Sequence, residues 1–148
     1  MASIKFPRAH TPTLAEQAGR MGRYPTLKRT FGRSNVVWVG AWCPSVTSDT
    51  YEISITYTLR IRPKVSIVSP KLTLAEGKTA LPHAYGGSQH DICIHERHEW
   101  TSRMYIADTI MPWLSQWLYF YEIWKFTGSW EGKGTHPELE SHKSNIYV

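Results

Sequence analysis

The chain has 148 residues, two cysteines and a formal net charge of +5. That length supports a core without staples, and Cys43 and Cys93 alone do not build a disulfide framework. No apolar run reaches bilayer length and no hydrophobic signal segment opens the chain, so a cytoplasmic protein away from the membrane is expected. The expected organisation is one domain over 1–148, with 1–12 and 131–148 as loose ends.

Thr13 is placed to cap a helix from Leu14 to Met21, with Glu16 in capping-box position and Gly22 and Pro25 to end it. Asn35 to Trp42 is β-branched and aromatic, and Pro44 with the Ser48-Asp49-Thr50 cluster closes it as a turn. Tyr51 to Leu59 alternates with period two, which predicts a half-buried antiparallel strand. Lys64 to Val68 resumes after Pro63, and the short links require a meander, because parallel strands need long crossovers. Leu72 and Leu74 suggest a further short strand.

After Trp100 the period changes to helical. Thr101 or Ser102 can cap a helix through Tyr105 to Ile110, which Pro112 is expected to kink or break. Trp113, Trp117, Phe120, Tyr121 and Trp124 recur at three and four residues as one aromatic face, read first as core, and Gly128 is the natural stop. The whole order predicts an α+β fold with helices segregated from an antiparallel sheet. Basic residues are scattered from Lys5 to Lys64 without any nucleic-acid module, so an ordinary solvated surface is expected and no nucleic-acid partner.

The stretch from Leu81 to Ile94 stands apart. Cys93 lies between Ile92 and Ile94, shortly after the Gly86-Gly87 turn, with His83, His90, His95 and His98 around it. Such a cysteine is either a small buried hydrophobe or a nucleophile with thiolate character and access. Structural zinc normally draws on paired ligands, and no second cysteine accompanies this cluster, so neither a metal site nor a cofactor is expected. Cys43, at a strand end before Pro44, reads as structural.

Three spacings in this region carry a resemblance. His83 precedes Cys93 by ten residues, the cysteine sits in an Ile-Cys-Ile setting, and Trp100 follows seven residues later, ahead of Thr101-Ser102. The segment resembles the ubiquitin-conjugating (E2) family, whose signature places a His ten residues before the catalytic Cys and a Trp shortly after it. The helix-then-meander order upstream also fits that architecture. Leu81-Pro82-His83, Ile106-Ala107-Asp108-Thr109-Ile110 and Trp117-Leu118-Tyr119-Phe120-Tyr121-Glu122-Ile123-Trp124 before Thr127-Gly128 are similar to the bacterial E2-like proteins of CBASS anti-phage systems.

That resemblance implies an E2-like fold with an N-terminal helix, a β-meander, a Cys-bearing irregular segment and C-terminal helices. It implies an enzyme in which Cys93 accepts a protein C-terminus as a thioester and transfers it to an amine or other nucleophile. The implied partner is the C-terminus of a cGAS-like nucleotidyltransferase. Longer members carry an E1-like adenylating domain, for which this chain has no room, so the stand-alone version is implied. Pro82 precedes the His where E2 enzymes have a following Pro, and Tyr85 stands where they have Asn. Tyr85 is therefore the candidate oxyanion donor, His83 the loop-tying residue and Asp91 the acid that orients an incoming lysine. His90, His95 and His98 are candidates for raising the thiolate fraction. A non-catalytic E2-fold binding module and a cysteine hydrolase that trims the partner's C-terminus are the alternatives.

Overall fold

A computed structural model describes residues 10–96 and 98–132. Of the expected loose ends, 1–12 and 131–148, the parts 1–9 and 133–148 lie outside the described residues.

Helix α1 spans Leu14–Met21. Both halves of the capping box are present: the Thr13 hydroxyl accepts the Glu16 N–H at 3.1 Å, and the Glu16 carboxylate reaches back to the Thr13 N–H. Five antiparallel strands follow in the order β1-β2-β3-β4-β5: Leu27–Phe31, Asn35–Trp42, Tyr51–Thr58, Lys64–Ser69 and Asp91–Ile92. The meander is as expected, with two strands added at its edges. β1 pairs Leu27 to Phe31 with Gly40 to Val36. Gly40 is required there, since a Cβ would lie 2.0 Å from the Thr26 carbonyl. β5 is two residues long and pairs with Val65 and Ser66 of β4.

The alternation in β3 sends Tyr51, Ile53, Ile55 and Tyr57 into the core, beside Val36 and Trp38 of β2 and Val65 and Ile67 of β4. No strand forms at Leu72 and Leu74; the segment is irregular, and Leu72 is buried as a core anchor. Its backbone is held from other elements: the Thr73 N–H donates to the Tyr121 hydroxyl at 2.9 Å, and the Gln89 amide donates to the Leu72 carbonyl.

The helical region departs from expectation in two ways. Tyr105 to Ile110 is no α-helix: a single 3-10 turn covers Ile106–Asp108, and helix α2 spans Ile110–Thr127. One C-terminal helix therefore stands where several were expected. Pro112 neither kinks nor breaks α2, because it falls in the first turn, where the N–H has no intrahelical partner to lose. Gly128 ends the helix as expected, at φ 74°, with its N–H on the Trp124 carbonyl.

α2 buries Leu114, Trp117, Leu118, Tyr121 and Trp124 against the sheet. Polar tips of aromatic side chains then fix its position. The Trp42 indole donates to the Ser115 hydroxyl at 3.0 Å, and the Tyr51 hydroxyl donates to the Glu122 carboxylate at 2.8 Å. α1 is locked to the 3-10 turn through the fully buried Gln17, whose amide donates to the Met104 carbonyl and accepts the Ile106 N–H. Arg20 and Arg23 both pair with Asp108 in the same contact.

Candidate active site around Cys93

Three backbone decisions build the site. His83 has φ 49°, a left-handed conformation uncommon outside glycine, and this turns its carbonyl inward. That carbonyl accepts the Cys93 N–H at 2.9 Å and the Trp117 indole N–H at 3.1 Å. The motif histidine thus holds the cysteine backbone and α2 through one oxygen. Its buried ring packs on Trp130, with ring centroids 4.8 Å apart. A 3-10 turn at Tyr85–Gly87 comes next, possible because Gly86 takes φ 60°. Ser88 then receives the N–H groups of His90 and Asp91 on its hydroxyl, which aims the chain into β5 and delivers Cys93 just beyond it.

The Cys93 side chain is 1% exposed, and its thiol donates to the His95 carbonyl at 3.6 Å. Burial pushes its pKa up to about 11. Three groups work against that rise: a hydrogen bond from Tyr85, the positive charge of Arg62 and the His95 backbone. The Glu99 carboxylate adds to it. Tyr85, at the position of the E2 asparagine, is thus the side chain that most favours the Cys93 thiolate.

The histidines have other roles. His95 is buried, with its ring 5.6 Å from Trp113. Burial is the main cause that lowers its pKa, and Arg62 lowers it further, so at neutral pH the ring is uncharged. Its Nδ1–H donates to the Glu96 carbonyl at 2.7 Å. His90 is exposed and pairs with Asp91, and His98 pairs with Glu96. Among the described residues, the positive charge that favours the Cys93 thiolate is that of Arg62.

Asp91 is half-buried on β5. Burial alone would raise its pKa; hydrogen bonds from Ser66 at 2.8 Å and His90 at 2.9 Å, with the Lys64 charge, bring the net shift below the usual carboxylate range. Its oxygens thus face β4 partners and His90. Among the described residues no group of three or more His, Cys, Asp or Glu is placed to hold a metal ion, and no helix is long and apolar enough to cross a membrane. Cys43 is exposed, with its thiol on the Ser45 carbonyl at 2.9 Å.

Trp100 is buried and packs edge-on against Tyr57 of β3 at 5.5 Å, fixing the segment that follows the cysteine. From Ile94 a cleft of about 550 Å³ opens between this segment and α2. Glu96, Glu99 and Glu131 supply carboxylates to its lining, while Trp113, Phe120 and Trp130 supply rings. The aromatic stripe of α2 thus divides: Tyr121 and Trp124 are core, Trp117 is a core residue that also lines the cleft, and Trp113 and Phe120 face the cleft.

Sequence reasoning missed Arg62 and Glu99. Arg62 lies just after the β3–β4 turn, where it reads as one more scattered surface cation. Glu99 carried a usable signal, being a carboxylate next to the motif Trp100.

An N-terminal helix, a five-stranded antiparallel meander and a C-terminal helix, with a cysteine loop tied by a histidine carbonyl, are compatible with an E2-like fold. A family model described as Type II CBASS E2 protein matches residues 17–137. The match covers most of the chain, and the chain belongs to that family, whose members are E2-like proteins of CBASS anti-phage defence. No curated protein matches the chain.

Proposed function

We propose that Cys93 accepts a protein C-terminus as a thioester and passes it to an amine or other nucleophile, and that the acyl donor is the C-terminus of a cGAS-like nucleotidyltransferase. The observation that carries this reading is the convergence on one residue: the His83 carbonyl holds the Cys93 backbone N–H, and Tyr85 is the side chain that most favours its thiolate. His83 is then the positioning residue, Tyr85 the hydrogen-bond donor at the reacting carbonyl, and Asp91 the acid that orients the acceptor. The cleft beside Ile94 supports an amine acceptor, because carboxylates and aromatic faces together favour a cation.

A thiol of pKa about 11 is roughly one part in a thousand ionised at pH 8, so the buried form is a resting state, and donor docking uncovers the sulfur. The test supplies the nucleotidyltransferase with its C-terminus as an activated thioester, whose thiol leaves as Cys93 takes the acyl group, and looks for the covalent adduct on a non-reducing gel. The adduct forms with the native chain and disappears with Cys93→Ala. Its persistence in Cys93→Ala removes Cys93 as the nucleophile.

The near-complete burial of Cys93 favours one second reading, an E2-fold binding module that engages its partner without chemistry. That reading requires Cys93→Ala to bind the partner as the native chain does, with no adduct from either.

A further inference from the structure

We propose that Arg62 is a catalytic residue whose guanidinium, together with the Tyr85 hydroxyl, holds the carbonyl oxygen of an acyl group carried on the Cys93 sulfur. The inference rests on the thioester reading above and adds to it a residue and a role.

The β3–β4 connection places Arg62. After Thr58 the chain turns tightly: the Ile61 N–H returns to the Thr58 carbonyl at 2.8 Å, and Arg60 takes φ 66° with its N–H on the Tyr57 hydroxyl. The turn leaves Ile61 exposed, buries Pro63 and points Arg62 back toward the sheet end where Tyr85 lies. The Arg62 guanidinium carbon is 6.0 Å from the centre of the Tyr85 ring.

One nitrogen of this guanidinium lacks an acceptor among the described residues: Nη1 is buried and has no hydrogen-bond partner there. Buried charged donors are normally paired, because leaving one unpaired forfeits its hydration with nothing in return. Three other basic residues, though more exposed, do have carboxylate partners: Arg20 and Arg23 pair with Asp108, and Lys64 with Asp91. Glu99, whose carboxylate accepts the Glu96 N–H at 2.8 Å, makes no ion pair with Arg62 among the described residues. Arg62 therefore presents an unused cationic donor beside the Tyr85 ring. Its charge is felt by both Cys93 and the neighbouring His95, which places it at the cysteine loop. An acyl oxygen on the sulfur supplies the missing acceptor.

The chemistry needs that donor pair. The acyl group reaches Cys93 by exchange from another activated thioester. An amine nitrogen then attacks the acyl carbon. The new C–N bond forms as the C=O π pair moves onto oxygen, and that oxygen faces Arg62 and Tyr85. Collapse restores the carbonyl and breaks the C–S bond. The electron pair leaves on sulfur, which takes up the proton released by nitrogen. Thioester and amine become amide and thiol with no oxidant or reductant.

The experiment uses the full chain carrying Cys43→Ser, so that Cys93 is the only thiol. S-acetyl-N-acetylcysteamine loads the sulfur, and discharge of the acetyl group to free lysine is followed by intact mass. The parent loads and discharges. Arg62→Gln loads and discharges about a hundredfold more slowly, and Arg62→Lys, which keeps the charge but not the fork of donors, about tenfold more slowly. Iodoacetamide labelling of Cys93 moves to higher pH in Arg62→Gln and stays with the parent in Arg62→Lys, a separation that loss of packing alone does not produce. A loaded Arg62→Gln that discharges at the parent's rate overturns the assignment. Should Arg62→Gln not fold, Arg62→Lys decides: discharge at the parent's rate overturns the role, and a tenfold loss with an unchanged labelling profile supports it. A parent that loads neither from S-acetyl-N-acetylcysteamine nor from a thioester of the nucleotidyltransferase's C-terminal peptide overturns the thioester reading itself, before any Arg62 variant is compared.

Discussion

Cys93 is a reactive residue type held in an unreactive state. The thiolate is the nucleophilic form, and burial disfavours it more than Tyr85, Arg62 and the His95 backbone restore it. With a pKa of about 11, alkylation of Cys93 by iodoacetamide rises about tenfold per pH unit from pH 7 and levels off only near pH 11. The exposed Cys43 reacts ahead of it throughout the neutral range. Labelling followed by peptide mass spectrometry at graded pH reads the two sites separately, and a Cys93 profile that levels near pH 8 removes the buried resting state. Spacing from His83 and Trp100 was enough to single out this cysteine in the sequence. Its burial was one of the two readings the Ile-Cys-Ile setting offered, but a thiol both buried and under the influence of Tyr85 and Arg62 was not legible, because that depends on tertiary packing around an irregular loop. Arg62 was illegible for the same reason: a hairpin turn far upstream carries it to the site, and no local pattern distinguishes it from Arg60.

At the scale of elements, the sequence was readable wherever a local pattern and the tertiary environment agreed. Thr13 with Glu16 fixes the start of α1 by bonds within four residues, so the helix was legible to its first residue. β3 was legible because its alternation matches a sheet with one buried face. β1 was not, since all its residues after Leu27 are exposed and Lys28-Arg29-Thr30 shows no alternation; pairing with β2 alone makes it a strand. Pro112 misled because its effect depends on position within the helix. Pro112→Ala is therefore expected to change stability by less than about 0.5 kcal/mol in a denaturant melt, where a mid-helix kink would give a larger gain. Gln17 makes the opposite case. It looks like a surface residue of α1, yet its amide joins α1 to both Met104 and Ile106. Gln17→Ala leaves a buried acceptor and a buried donor unmatched, and a loss of about 2–4 kcal/mol in the same melt is expected.

Across the whole molecule, buried titratable groups set the pH range over which the fold holds. On the acid side, His95 and Asp91 both have folded pKa values below their ordinary ones, so the unfolded chain binds the extra protons. Stability is present above the ordinary histidine and carboxylate values and is lost as pH falls, first through His95 and then through Asp91. On the alkaline side the sign reverses. Cys93 is raised from 9.0 to about 11, so above pH 9 the unfolded chain loses a proton that the folded chain keeps. Stability therefore falls between pH 9 and pH 11, by roughly 2 kcal/mol for a group this deeply buried. Tyr51 acts in the same direction from pH 10 upward, because burial and then its bond to Glu122 push its pKa up. Urea melts at half-unit steps from pH 8 to pH 11 separate the two. Cys93→Ala should flatten the decline between pH 9 and pH 10 and leave the later, tyrosine-driven decline in place. A decline in the first interval that is unchanged in Cys93→Ala means that the thiol is not held protonated by the fold, and the resting state assigned to Cys93 falls with it.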